Sequence, residues 1–197
     1  MERSQSHYSI RQVAEMSLFA GISFVLMYIS FPIIPFAPWM KIDFSDIPIL
    51  LGAVIFGPLG GVLIAAIKGF LYWLLTGVDV INLIGILASF AASVGFLLPI
   101  AAVLKHMQHA SLSKKMPIAI ISGTVVLTVV MALANLFVLL PVYAKLLGMT
   151  MPMALPKLVL IGVIPFNIIK GILVGGVFWL IVGRMKRWLN KQGKMTL

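Results

Sequence analysis

The sequence predicts an all-α fold: a polytopic membrane protein with six transmembrane helices and both termini in the cytoplasm. Three observations carry that prediction. Of 197 residues, 61% are apolar and only 10% are charged, whereas a soluble globule has roughly a quarter charged residues. The mean hydropathy is +1.13. Finally, the basic residues collect at the ends of the apolar blocks, and threading the blocks as six spans puts most of them on one side of the bilayer. At about 20 residues per span, six spans leave only short loops, so residues 1–197 form a single transmembrane domain.

The polar opening segment leads into an apolar run with no small-residue cleavage site after it, so that run reads as a retained first span, over about 13–30. A stretch with Pro32, Pro35 and Pro38 follows. Prolines at every third position remove amide donors and favour extended backbone, so residues 31–46 read as a loop, the longest in the chain. The apolar block 47–75 is too long for one comfortable span and too short for two. Gly57-Pro58 breaks it, and that pair is a strong turn signal. The block therefore reads as a short helix over 47–56 and a full one over 58–75. A turn at 76–80 leads to a fourth helix over 81–104, and a fifth runs over 117–140. The sixth ends near 183. From Pro165 to Arg184 the chain rises about 30 Å, the thickness of the hydrocarbon core, so Pro165 is placed near the outer end of this helix, in its first turn.

Charge selects the number of spans. Arg3 and Arg11 precede the first helix, Lys105, Lys114 and Lys115 follow the fourth, and Arg184, Lys186, Arg187, Lys191 and Lys194 follow the sixth. With six spans all ten face the cytoplasm, while Lys41, Lys145 and Lys157 share the other side with Asp43, Asp46 and Asp79. With five, the basic loop 105–116 faces outward, against the positive-inside bias. The net charge of +10 is then topology signalling and attraction to anionic lipid headgroups. No aromatic-interleaved basic patch points to nucleic acid.

Polar side chains inside lipid each demand an account. Lys68, Lys170, Asn82, Asn135 and Asn167 fall within the predicted spans. Asn82 helps to finish the turn begun by Asp79. For Asn82 and Asn135 taken singly, helix-to-helix glue and ligand contact are evenly balanced. Lys68 reads as structural, snorkelling to the outer interface or pairing with Asp79. Lys170 and Asn167 are three apart, hence on one face. With Pro165 opening the helix, both sit in its first two turns, where free N–H groups and the positive dipole end also point at a ligand. A cation there needs an acceptor, and no helix but the first carries a predicted acidic residue, so an uncharged, oxygen-rich ligand is its expected partner. Asp43 and Asp46 bracket Phe44-Ser45 and read as part of a helix cap, in which Ser45 or Asp46 accepts from the first turn and Pro48 lies near its first position. Trp39, Met40 and Phe44 read either as interface anchors or as an apolar lid over a site.

Several chemistries are excluded. There is no cysteine, hence no thiolate nucleophile or cysteine metal site. No GxxxxGK[ST] loop supplies a phosphate cradle. His7, His106 and His109 lie outside the predicted spans with no clustered carboxylates, so no metal site is expected. No intramembrane carboxylate chain relays protons, as coupled pumps require. The chain offers a binding site without an engine and is not expected to be an enzyme.

Two segments carry a resemblance: Lys41-Ile42-Asp43-Phe44-Ser45-Asp46-Ile47-Pro48 after the first helix, and Pro165-Phe166-Asn167-Ile168-Ile169-Lys170-Gly171 in the last. With them, and over essentially its whole length, the chain resembles the substrate-binding S components of energy-coupling-factor (ECF) vitamin transporters, most of all the riboflavin-specific members. The resemblance implies a bacterial plasma-membrane subunit that captures riboflavin from outside. It further implies association with a membrane coupling (T) subunit and two ATP-binding cassette ATPases. Asn167 and Lys170 carry over as ligand contacts, with Trp39, Met40, Lys41, Asp43 and Phe44 in the lid segment, and Asn135 is added for its location. The family's Ala-x-x-x-Ala docking surface on the first helix is not intact here, since Ala14 is followed by Leu18, but Ser17 and Gly21 keep small residues at that spacing. An S component for another vitamin, or a stand-alone secondary transporter, is the alternative.

Overall fold

The computed structural model describes residues 8–148 and 150–191; the expected charges Arg3 and Lys194, and His7, lie outside them. The described chain is helical but for a short ribbon. Helix α1 (Ile10–Tyr28) opens on a capping box in which Ser9 and Gln12 satisfy each other's backbone N–H groups. Strands β1 (Phe31–Pro32) and β2 (Lys41–Ile42) pair antiparallel, Phe31 opposite Ile42. The proline-rich loop is therefore folded back on itself as a ribbon with a tight crossing.

Helix α2 (Asp46–Phe56) is buried at every residue but Leu51, as a helix apolar all round must be. Its 11 residues rise about 16 Å, half the hydrocarbon thickness. The Tyr8 hydroxyl donates to the Phe56 carbonyl at 3.4 Å, so α2 ends level with the start of α1, and its first residue, Asp46, lies deep in the bundle. At Gly57 φ is +85°, a conformation only glycine adopts cheaply. The chain reverses there into α3 (Pro58–Thr76). A Cβ on Gly61 would stand 3.0 Å from the Ile49 carbonyl oxygen, so α2 and α3 touch through backbone. After Gly77 (φ +127°), Asp79 caps α4 (Val80–His106), accepting from the Asn82 N–H at 2.8 Å.

Helix α5 is continuous through Leu112–Ala134, a π-helical stretch Asn135–Leu139, and Leu140–Leu147. Helix α6 likewise joins Leu155–Leu158, a π-helical stretch Val159–Val163, and Ile164–Lys191. Each π stretch ends two residues before a proline, Pro141 or Pro165. A proline lacks the amide that would close the preceding turn, and its ring pushes the facing carbonyl away, so the ladder opens to i→i+5 bonds: Leu140 N–H to Asn135 O, Ile164 N–H to Val159 O. Pro165 thus lies inside α6, not in its first turn. Helical residues 155–163 precede it, and the free amide groups expected beside Asn167 and Lys170 are used within the helix.

Helices α1, α3, α4, α5 and α6 are long and apolar enough to cross a membrane, and the chain is a multi-pass membrane protein. Around α2 pack α1, α3, α4 and α6, while α5 packs on α4 and α6. One core joins α2 to Phe96, Leu97 and Phe178. A second, smaller one sets Ile34, Ala37 and Met40 of the ribbon loop against Leu140 of α5 and Leu158, Val159 and Val163 of α6.

Candidate functional site

The ribbon loop, α1, α3, α4, and α5 and α6 at and beside their π-helical stretches line a cavity of about 300 Å³, within the range of small-molecule pockets. It continues past Trp39 and Tyr72 into a further space of about 350 Å³ bounded by Asn82 and Tyr143. Seven of the eight residues expected at a site line the first space: Trp39, Met40, Lys41, Asp43, Asn135, Asn167 and Lys170. Phe44 does not. It packs against the larger core.

The two asparagines share one posture. Asn167 Nδ2 donates to the Val163 carbonyl and Asn135 Nδ2 to the Met131 carbonyl, each at 2.8 Å. Each amide is thereby oriented on its own helix, and among the described residues no other side-chain hydrogen bond engages it. The second amide hydrogen and the carbonyl oxygen are left for a ligand. Trp39 adds a donor: among the described residues its indole Nε1 is the buried side-chain polar atom without a partner.

The cations behave differently from the expectation. Lys170 is not without protein acceptors: its Nζ lies 3.0 Å from Asp46 Oδ2 and 3.7 Å from Asp43 Oδ2. Sequence reasoning missed this because both aspartates sit in the loop-to-helix junction, which reads as outside the bilayer, whereas the loop dips into the bundle. Lys68 neither snorkels nor meets Asp79. It is 1% exposed, 4.0 Å from Asp46 Oδ1, and donates to the hydroxyls of Ser45, Ser93 and Ser89 at 3.2, 3.3 and 3.5 Å. Ser93 in turn donates to Asp46 Oδ1. Two carboxylates thus meet two ammonium groups, and the cluster is neutral, as burial demands.

Nor do the aspartates and Ser45 cap α2. Asp43 Oδ1 accepts the Ser45 N–H at 2.8 Å, Ser45 makes no side-chain cap, and its carbonyl accepts from the Ser23 hydroxyl of α1. Asn82 does complete the turn at Asp79, donating to its Oδ2 at 2.6 Å. The sequence reading missed Met27 of α1, Ser30 just after it, Tyr72 of α3, and Gly85, Ala88 and Ser89 of α4 as cavity walls. The small residues of α4, four apart at Gly85 and Ser89, were the available signal, since they leave room where larger side chains would fill.

On the outer face of α1, Ser17 and Gly21 line a shallow apolar groove with Leu18, Ile22 and Val25, and Ala14 is exposed one turn before it. The Ser17 hydroxyl is turned inward to the Val13 carbonyl at 2.9 Å. A Cβ on Gly21 would meet nothing within 4 Å.

The family model for the substrate-specific component of ECF transporters matches residues 11–182. The chain is 34% identical over 185 residues to "Riboflavin transporter FmnP" of Bacillus subtilis, covering 93% of this chain and 96% of that one. To "Riboflavin transporter RibU" of Staphylococcus aureus it is 35% identical over 182 residues, covering 92% and 93%. The solved structure of the S component of a bacterial ECF transporter superposes with a TM-score of 0.76 at 35% identity, over 91% of this chain and 97% of the other.

Proposed function

The chain belongs to the substrate-specific components of ECF transporters, and from that membership we propose that it captures riboflavin at the outer face of the bacterial plasma membrane. The observation that carries the reading is the convergence of Asn135, Asn167 and Lys170 on one cavity beneath the ribbon loop. Riboflavin offers a pyrimidine edge with carbonyl acceptors beside an N–H. Each asparagine presents a matching acceptor and donor, and the third hydrogen of the Lys170 ammonium, beyond the two aimed at carboxylates, serves a carbonyl or ribityl oxygen. A neutral ion cluster suits an uncharged ligand. Trp39 and Met40 cover the cavity, Lys41 and Asp43 border it, and Trp39 Nε1 finds its acceptor on the ligand.

Six crossings with both termini cytoplasmic complete this reading. The level of α2 against α1 supports it, since α2 and the dipping ribbon loop together make one crossing. The distribution of basic residues supports it as well. The chain forms one transmembrane substrate-binding unit without an ATPase site of its own. A membrane coupling subunit and two ATP-binding cassette ATPases supply the power stroke, and the groove at Ala14, Ser17 and Gly21 lets a partner helix approach closely.

Detergent-purified protein tests the ligand directly. Bound flavin gives a yellow sample with visible absorption, and titration with riboflavin saturates while thiamin and pantothenate do not. A colourless protein that binds either of the latter vitamins overturns the assignment.

A further inference from the structure

We propose that Lys68 is a positioning residue for the vitamin site: acting through Ser93 and Asp46, it sets where the Lys170 ammonium stands in the cavity. The proposal rests on the reading of Lys170 as a ligand contact. Lys68 itself does not line the cavity. It stands behind the wall, 1% exposed, and reaches Lys170 only through a chain of polar atoms. Lys68 Nζ donates to Ser93 Oγ at 3.3 Å, Ser93 donates to Asp46 Oδ1, and Asp46 Oδ2 faces Lys170 Nζ at 3.0 Å.

The two oxygens of Asp46 are thus divided. Oδ1 is taken by Ser93 and Lys68, so of Asp46 only Oδ2 faces Lys170, beside Asp43 Oδ2 at 3.7 Å. Hydrogen bonds linked in this way polarise one another in a low-dielectric interior. Without Lys68 the cluster would hold two carboxylates and one cation. Asp46 Oδ1, no longer neutralised by Lys68, would then add to the pull that Asp46 Oδ2 and Asp43 already exert on Lys170, which would retreat from the cavity towards them. Mere packing of α3 against α4 does not account for Lys68, because an apolar side chain of similar length would fill the space without the desolvation cost of a buried charge. Ser45, whose hydroxyl also accepts from Lys68, extends the same control to the root of the ribbon loop.

The test is a thermodynamic cycle on the full-length protein in detergent, titrated with riboflavin by calorimetry. Lys68→Met is expected to weaken binding about tenfold, some 1.4 kcal/mol. Ser93→Ala, which keeps every charge, is expected to weaken it about threefold, near 0.7 kcal/mol. Both effects should vanish in the Lys170→Met background, since coupled residues are not additive. Unchanged affinity in Lys68→Met, or the same loss with and without Lys170, overturns the positioning role and leaves Lys68 structural. Should Lys68→Met fail to fold, Ser93→Ala and its cycle with Lys170→Met decide by the same criterion. The underlying site reading fails in a different way: the unaltered protein binds no flavin, or Lys170→Met binds as well as it does, and the positioning role falls with it.

Discussion

Lys170 Nζ lies 3.0 Å from Asp46 Oδ2, joining the last helix to the first residue of the short buried one. Removing one partner of a buried ion pair leaves an uncompensated charge and costs about 3–5 kcal/mol. The pair therefore locks the wall of the cavity while it presents an ammonium to the interior.

The vitamin contacts can be tested singly. Lys170→Ala and Asn167→Ala should each weaken riboflavin binding at least about tenfold, about 1.4 kcal/mol, by isothermal titration. Unchanged affinity in both would remove the site assignment.

Neighbouring residues of the ribbon loop should separate. Phe44 packs against the core, so Phe44→Ala should lower the melting temperature and cost about 3 kcal/mol while affinity stays within about twofold, under 0.5 kcal/mol. Trp39→Phe keeps the apolar wall and removes the unpartnered N–H. It should weaken binding by about 1 kcal/mol with little change in melting.

The π stretch in α5 should depend on its proline. Pro141→Ala restores an amide donor, letting the turn at Asn135–Leu139 close to an ordinary α-helix and rotate Asn135 away from the cavity. Binding should weaken roughly threefold to tenfold, about 0.7–1.4 kcal/mol, with the helical circular dichroism unaltered. Full affinity would mean that the bulge does not aim Asn135.

Close contact of α5 and α6 should require a glycine. A Cβ at Gly171 would fall 2.4 Å from Thr124 Oγ1. Gly171→Ala is expected to destabilise by about 1–3 kcal/mol, read as a lower melting temperature, and Thr124→Ala in the same chain should restore part of the loss.

Topology has a clean assay, because the chain has no cysteine. A single cysteine at position 114 should react with a membrane-impermeant maleimide only after permeabilisation, and one at position 79 in intact cells. Labelling of position 114 from outside would reverse the proposed orientation.

Much of the fold was legible in the residues. Gly57-Pro58 marks the reversal between α2 and α3 because a positive φ and a ring-fixed φ are local requirements, indifferent to distant packing. Asp79 and Asn82 close the turn before α4 for the same reason. Pro165 also announced itself, although a missing amide is compatible both with a helix start and with an interior π-turn. At Pro165 the helical segment Leu155–Leu158, packed beneath the ribbon loop through Leu158, made it the second.

The amino-acid sequence by itself determined that the chain lives in a bilayer, where its apolar blocks and turns fall, and which amides and lysines stand inside. Each of these follows from the transfer of single residues between water and lipid or from backbone rules that span a few positions. Tertiary structure alone decided that the loop bearing Asp43 and Asp46 descends into the bundle, that Lys68 faces inward, and that Phe44 turns from the cavity Trp39 covers. A charge will accept burial only beside its opposite, and which opposite it meets depends on how α2, α3, α4 and α6 pack together.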